Sequence, residues 1–307
     1  MRAKHFMSVV AATAGRFIFA AAIFICANFS RGQGAGVPVY TWDSYGDEQI
    51  LSAAEKLFDT GKLVRETVLT NQLYGRKSCE LKLSALHTEK LAGRELWSVA
   101  RAAHVRVGWY YRTTRNDEWR VTMAAGYALT TNGAVATCYH VARAPENCKE
   151  AYLIAVGENG QAYPVTEILA ANADADACIL RVAANDLKPL ALNTNVFPGD
   201  RCVCYSDPMG ERGYFSDGVV SRFLSPHRRD GRVVKSATRL DVTTEWAPGS
   251  SGAAVLDESG NAIGHVSMIS NLSSRQPGIR GSSGPLITIH EAVSARDVLA
   301  LVKPASK

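Results

Sequence analysis

Three short segments of the 307-residue chain carry an imidazole, a carboxylate and a hydroxyl, which are the groups that nucleophilic acyl chemistry requires. His140 follows an apolar run, Asp176 stands at the mouth of another, and Ser251 lies in the small-residue loop 248–252. Taken singly, each has a common structural explanation, namely a packed histidine, a turn-forming aspartate and a flexible loop. Together, and in the order His, Asp, Ser, they predict a base, an orienting acid and a nucleophile.

The elements that must position these residues are short strands separated by turn signals such as Asn132-Gly133 and Ser259-Gly260. About a dozen strands at this spacing indicate one or two antiparallel barrels or a sandwich. The candidate strands are Trp119–Met123, Tyr127–Thr131, Ala134–Thr137, Ala151–Val156, Ala162–Leu169, Ala177–Val182, Arg201–Tyr205, Phe215–Phe223, Arg232–Leu240, Gly252–Leu256 and Ala262–Ile269, with one more at His104–Tyr111.

Helical spacing is confined to the two ends of the chain. Residues 46–74 carry apolar side chains at helical intervals and are interrupted by Gly61, which predicts two helices. A third short helix is expected over 92–102, and a fourth over Glu291–Val302. The apolar stripe of the first two helices needs a partner. We expect it to pack on the strands that follow, although a pro-segment, a lid or a partner-binding role stays open.

Gly126 to Ile269 resembles the protease domain of the chymotrypsin clan, and most of all its bacterial HtrA/DegP-type branch. The resemblance is carried by Thr137-Cys138-Tyr139-His140-Val141, by Asp176-Ala177-Cys178-Ile179-Leu180, by Pro248-Gly249-Ser250-Ser251-Gly252-Ala253-Ala254-Val255, and by Gly260-Asn261-Ala262-Ile263-Gly264-His265. The family has a second Gly and a Pro where this chain has Ala253 and Ala254. The 38 residues after Ile269 leave no room for a PDZ domain.

This resemblance implies an all-β fold of two packed antiparallel β-barrels of the trypsin-like type. The helical spacing described above adds an N-terminal helical extension and a short C-terminal helix. It also implies a serine endopeptidase that acts on protein or peptide substrates. Ser251 would attack the carbonyl, His140 would move the proton, and Asp176 would orient the imidazole. The amides of Gly249 and Ser251 would form the oxyanion hole.

Two neighbouring residues compete for these roles. Asp174 is the alternative acid, but Asp176 lies next to the start of the following strand. Ser250 stands one residue too early in the motif to be the nucleophile. Only neutral imidazole is a base, so proteolysis should fall as the pH drops.

Substrate specificity is predicted from the position six residues before the serine, which in this clan often lines the primary pocket. Here it is Glu245, with Trp246 beside it. A buried carboxylate would favour Lys or Arg substrates, whereas an exposed Glu would have no such role. No metal ion and no cofactor is expected.

The N-terminus predicts export. Arg2 and Lys4 precede eleven apolar residues, Phe17–Ala27, which is the length of a signal-peptide core. We therefore divide the chain into a signal peptide (1–31), a linker and helical extension (32–103) and a protease domain (104–307), and expect a periplasmic or secreted bacterial protein. An uncleaved membrane anchor is the alternative.

The charge balance excludes nucleic acid as an expected partner. The net charge is +5, but residues 1–31 hold four basic residues and no acidic ones, and the remaining 30 basic and 29 acidic residues leave +1. The basic cluster around His227-Arg228-Arg229 is short enough to be a solvated loop.

Cysteine pairing stays open. Cys26 lies in the predicted signal, and an exported chain permits disulfides among the other six: Cys79, Cys138, Cys148, Cys178, Cys202 and Cys204. Buried thiols are the alternative.

Two other functions remain open from sequence: a catalytically inactive fold kept as a protein-binding module, and a hydrolase of small esters.

Overall fold

The computed structural model describes residues 45–115, 117–227, 231–272 and 286–304. The predicted signal segment 1–31, with Cys26, lies outside the described residues, as do Arg228 and Arg229 of the basic cluster. The helices are α1 (Tyr45–Asp59), α2 (Glu66–Gly75), α3 (Gly93–Ala103) and α4 (Ala295–Leu299). The first three confirm the predicted helices, including the break near Gly61.

Fourteen strands make up the rest of the described fold: β1 (Cys79–Leu81), β2 (His104–Thr113), β3 (Arg120–Ala128), β4 (Ala134–Thr137), β5 (Cys148–Val156), β6 (Ala162–Asn172), β7 (Ala177–Val182), β8 (Arg201–Ser206), β9 (Tyr214–Leu224), β10 (Arg239–Val242), β11 (Ala254–Asp257), β12 (Ala262–Leu272), β13 (Ile287–Ser294) and β14 (Val302–Pro304). Twelve of them close into two six-stranded antiparallel barrels. The order is β2-β3-β4-β7-β6-β5 in the N-terminal barrel and β10-β13-β12-β11-β8-β9 in the C-terminal barrel. The predicted fold class is therefore confirmed.

Side-chain alternation explains how each strand faces its core. In β2, Val105, Val107 and Trp109 pack in the N-terminal barrel with residues of β4, β5 and β7. The alternate residues, such as His104 and Arg106, point away from that core and are nevertheless buried. Both lie near Asp207, which follows β8 of the C-terminal barrel.

The N-terminal helices pack on the strands, as their apolar stripe predicts. Leu69 and Leu73 of α2 are buried in the core of the N-terminal barrel, and Ile50 of α1 packs with Tyr110 and Tyr152 on its outer face. Each fully buried leucine of this kind stabilises the fold by roughly 1.5–3 kcal/mol. At the end of the chain, β14 pairs in parallel with β1, which precedes α3.

Three predicted strands differ markedly from the observed ones. The two strands expected over Trp119–Met123 and Tyr127–Thr131 are one strand, β3, because it pairs with β2 from Arg120 to Tyr127. The residues between the two predicted strands, 124–126, are small and belong to the same strand. The strand expected over Arg232–Leu240 begins only at Arg239, and residues 235–238 form a turn and an irregular segment.

The C-terminal helix is shorter than expected. Residues 291–294 complete β13, and the helix begins only at Ala295. The Ser294 hydroxyl accepts a hydrogen bond from the Arg296 amide at 3.2 Å, which is an N-cap that the apolar pattern did not reveal.

All six described cysteines are free thiols, and Cys138, Cys178, Cys202 and Cys204 are buried. Of the alternatives left open by sequence, the structure has buried thiols at these four positions. Within the described ranges, no helix has both the length and the apolar character needed to cross a bilayer.

Candidate active site

His140 lies just after β4, at the edge of the N-terminal barrel. The segment before it is fixed by two hydrogen bonds, one from Thr137 Oγ1 to Ala125 O at 2.7 Å and one from the Tyr139 amide to Asp176 O at 3.2 Å. The His140 side chain itself is about half exposed, with 46% of its surface open to solvent. The backbone is thus held while the ring remains reachable.

Asp176 lies in the turn between β6 and β7 and faces His140. Its backbone has φ +55°, in the left-handed region that Asp tolerates better than most residues. Oδ2 lies 2.9 Å from His140 Nδ1, and Oδ1 accepts a hydrogen bond from the His140 amide at 3.0 Å. The same carboxylate therefore holds both the ring and the backbone of His140.

Ser267 of β12 completes the carboxylate's surroundings and was not identified from sequence. Its hydroxyl donates to Asp176 Oδ2 at 2.6 Å. Burial tends to raise the pKa of Asp176, but hydrogen bonds from His140 and Ser267 and the attraction of His140 bring it down to about 2. Asp176 is ionised at neutral pH and accepts the Nδ1 proton, which leaves Nε2 free of its own proton in the neutral ring.

Both oxygens that these contacts place within hydrogen-bond distance of His140 Nδ1 belong to Asp176, and not to the alternative acid Asp174. The Asp174 amide donates to Asn172 Oδ1 at 3.0 Å within the same turn.

His265 lies two residues before Ser267 in β12, with a bulge in the strand pairing between Val266 and Met268, and it also contacts Asp176. Its Nε2 donates to the carbonyl oxygen of Asp176 at 3.3 Å. Complete burial lowers the pKa of His265 to about 4, so its ring is neutral at pH 7. The bulge interrupts the alternation of side chains at Ser267, so the period of two along the strand could not have identified both residues.

The loop that carries Ser251 is hydrogen-bonded to β3 of the N-terminal barrel and to β12 of the C-terminal barrel. Ala125 donates its amide to Ser251 O at 2.8 Å, and Gly252 donates its amide to Val266 O at 2.8 Å. Gly252 has φ +90°, and a Cβ there would lie 2.1 Å from Ala125 O and 2.5 Å from Thr137 Oγ1. Glycine is therefore required at this contact between the two barrels.

Ser250 and Ser251 have different surroundings. Ser250 is fully buried, and its hydroxyl has no hydrogen-bond partner among the described residues. Ser251 is partly exposed. Across the described part of the chain, the hydrogen bonds do not include one between Ser251 Oγ and the His140 ring. Such bonds often tighten only when substrate binds.

Gly249, proposed for the oxyanion hole, has φ +101°. Its backbone lies against the loop that follows β8: a Cβ on Gly249 would approach Asp207 O to 2.9 Å, and the Met209 amide donates to Pro248 O at 2.6 Å. The peptide that joins Pro248 to Gly249 is thus held from one side.

The two residues predicted for the primary pocket are placed differently from one another. Glu245 is exposed, and its Oε2 accepts a hydrogen bond from the Tyr214 hydroxyl at 2.7 Å. Trp246 is buried, and its Nε1 donates to Met268 O at 3.3 Å. The carboxylate therefore has a partner at the surface, whereas the indole lies against β12.

An open groove of about 730 Å³ runs beside the imidazole. Tyr139 and His140 line it from the N-terminal barrel, and Leu224, Ser267 and Met268 line it from the C-terminal barrel. Ser251 and Gly249 are not among the residues that line it.

Cys138 Sγ, a nitrogen of His140 and an oxygen of Asp176 lie within 4.8 Å of one another, as metal ligands do. Each group already has a hydrogen-bond partner, and the thiol donates to Val266 O at 3.0 Å. Burial raises the pKa of Cys138 well above its usual value, whereas a metal binds the thiolate. These residues suit a proton-transfer site better than a metal site.

The sequence of residues 124–264 matches a family model described as a trypsin-like peptidase domain. A search of curated proteins finds no match. Among solved structures, the HtrA-type protease AlgW with a decapeptide is 16% identical, with a TM-score of 0.52 over 69% of this chain and 66% of its own. A variant of AlgW with a tripeptide is 18% identical, with a TM-score of 0.51 over 68% of this chain and 62% of its own.

This chain therefore spans slightly less than two thirds of the length of the HtrA-type structures that it resembles, and at these identities the likeness concerns the fold. The family match covers β4 to β7, the loop of Ser251 and the start of β12, which are the segments that carry the three candidate catalytic residues. This part of the chain matches a trypsin-like peptidase domain and is similar in fold to HtrA-type proteases.

Proposed function

We propose that this protein is an exported serine endopeptidase that uses His140, Asp176 and Ser251 as a catalytic triad. The observation that carries the proposal is the ionised Asp176 hydrogen-bonded to His140 Nδ1 at 2.9 Å, beside a loop that presents Ser251. A buried, hydrogen-bonded carboxylate behind a half-exposed imidazole is what a general base needs.

In this mechanism Ser251 Oγ attacks the carbonyl carbon of a peptide bond. The hydroxyl proton passes to His140 Nε2, and the positive ring is stabilised by Asp176. The proton then moves from His140 to the leaving amine, and the acyl group stays on Ser251 as an ester. Water next attacks this ester while His140 takes the water proton, and His140 returns a proton to Ser251 Oγ as the acid product leaves. The oxyanion accepts hydrogen bonds from the Gly249 and Ser251 amides.

Peptide substrates are supported by two observations. The groove beside His140 is open at the surface and crosses from one barrel to the other. The HtrA-type structures of similar fold were solved with a tripeptide and a decapeptide. Export rests on the basic and apolar N-terminal segment of the sequence, with Phe17–Ala27 as its core.

A fluorophosphonate probe, which labels activated serine hydroxyls, tests the proposal, with casein hydrolysis measured in parallel. We expect labelling and casein cleavage in the natural protein, loss of both in Ser251→Ala, and retention of both in the matched control Ser250→Ala, whose hydroxyl is buried. Labelling that persists in Ser251→Ala would refute the assignment.

A catalytically inactive binding module is the second candidate, because the hydrogen bonds of the described residues do not join Ser251 to His140. It predicts a folded natural protein with neither labelling nor hydrolysis. Cleavage of p-nitrophenyl acetate without cleavage of casein would instead indicate an esterase.

A further inference from the structure

Three ionisable side chains are buried together where the two barrels meet: His104 and Arg106 of β2, and Asp207, which follows β8. Their relative exposures are 5%, 4% and 8%. His104 Nε2 lies 3.4 Å and Arg106 Nε 3.5 Å from the same oxygen, Asp207 Oδ2. Burying a charged group costs free energy unless it is paired, and removing one partner of a buried ion pair is destabilising because it leaves the other charge uncompensated.

The Asp207 carboxylate also closes the loop of residues 207–213, which we name the Asp207 loop. Its second oxygen, Oδ1, accepts a hydrogen bond from the Gly213 amide at 2.8 Å, so one carboxylate holds both ends of the loop. Burial by itself raises the pKa of Asp207. The interactions with His104, with the Gly213 amide and with Arg106 outweigh this effect, so the pKa lies below its ordinary value. The carboxylate is thus charged when it makes these contacts.

The tip of the Asp207 loop touches the oxyanion peptide, Pro248–Gly249. Met209, at φ +55°, donates its amide to Pro248 O at 2.6 Å. In a trans peptide the C=O and the following N–H point in opposite directions. Holding Pro248 O on the Met209 amide therefore turns the Gly249 N–H to the other side. Glycine has wide rotational freedom, so without this contact the peptide is free to rotate.

We propose that His104 and Arg106 are positioning residues for catalysis, which act through Asp207 and its loop to fix the Gly249 amide for the oxyanion. The His104 and Arg106 side chains come from the N-terminal barrel, whereas the loop and the peptide belong to the C-terminal barrel. The docking of the barrels is thereby coupled to the oxyanion hole. This inference rests on the proposed peptidase function for its kinetic readout only.

The test compares Asp207→Asn with Asp241→Asn. Asp241 is a matched control, because it is also a buried carboxylate of the C-terminal barrel, paired with Arg222, and lies outside the Asp207 loop. Removing one oxyanion donor lowers kcat by about 10²–10³-fold. We expect a kcat loss of this order in Asp207→Asn, with KM changed by no more than about threefold, and kcat nearly unchanged in Asp241→Asn.

A second readout is independent of activity. Amide hydrogen exchange of the peptide covering 246–252, followed by mass spectrometry, should be faster in Asp207→Asn than in Asp241→Asn, because the oxyanion peptide loses its support. If Asp207→Asn does not fold, Arg106→Gln replaces it in both measurements. Equal kcat losses, or equal exchange, in the test and control variants would overturn the inference.

The two proposals fail differently. If the natural protein shows no activity that Ser251→Ala abolishes, the proposed function fails, and the exchange comparison still decides whether the buried cluster orders the Pro248–Gly249 peptide. If activity depends on Ser251 but Asp207→Asn behaves like its control, only the positioning role fails.

Discussion

Replacing Asp176 by asparagine removes the charge from the candidate triad and keeps the shape of the side chain. Asn presents an NH₂ group where Asp176 has an oxygen that accepts the Nδ1 proton of His140 at 2.9 Å. Facing a donor, His140 would move its proton to Nε2 and could no longer accept one from Ser251. In serine proteases this change lowers kcat by about 10⁴-fold, and we expect a loss of that order.

The stability effect follows from the pKa of Asp176. Its value of about 2 lies below the ordinary 3.8, so the folded state favours the carboxylate. At 1.36 kcal/mol per pKa unit, this corresponds to about 2 kcal/mol at pH 7, and the side chain is 85% buried. The contribution is complete above about pH 5 and is lost as the pH falls towards about 2.

Urea unfolding at several pH values, followed by tryptophan fluorescence, measures this difference. We expect Asp176→Asn to be about 2 kcal/mol less stable than the natural protein at pH 7, and the gap to narrow steadily below about pH 4. Asp174→Asn, in the same turn, is the control and should retain most of the activity. A stability gap that does not change with pH, or a kcat loss in Asp174→Asn as large as in Asp176→Asn, would refute the reasoning.

Two further changes probe the same site. Ser267→Ala removes the 2.6 Å hydrogen bond to Asp176, so the pKa of that carboxyl should rise and kcat/KM should fall by about tenfold, because a charge-assisted hydrogen bond is worth roughly 1.5–3 kcal/mol. Ser267→Thr keeps a hydroxyl and should restore much of the loss. An unchanged acid unfolding profile in Ser267→Ala would contradict the prediction. Gly252→Ala places a Cβ 2.1 Å from Ala125 O at φ +90°, so we expect a loss of stability of about 3 kcal/mol or more in thermal unfolding. A Gly252→Ala protein with an unchanged Tm would show that the contact is not tight.

Much of the architecture was predictable because local patterns decide it. The strand predicted over His104–Tyr111 is β2, and the helical spacing over residues 46–74 predicted the two helices that pack on the strands. The order of His140, Asp176 and Ser251 suggested the chemistry. The errors fell where local patterns are ambiguous, as in β3, where the small residues 124–126 separate two predicted strands but belong to one continuous strand.

The amino-acid sequence alone specifies the set of helices and strands and the reactive side chains, because hydrophobic periodicity and turn chemistry act over a few residues. Which groups meet across long separations in the chain depends on the three-dimensional fold. Ser267 reaches Asp176 across 91 residues, and Asp207 meets Arg106 across the seam of two barrels. These contacts arise from barrel closure and docking, and no periodicity in the chain encodes the partner of a buried polar group.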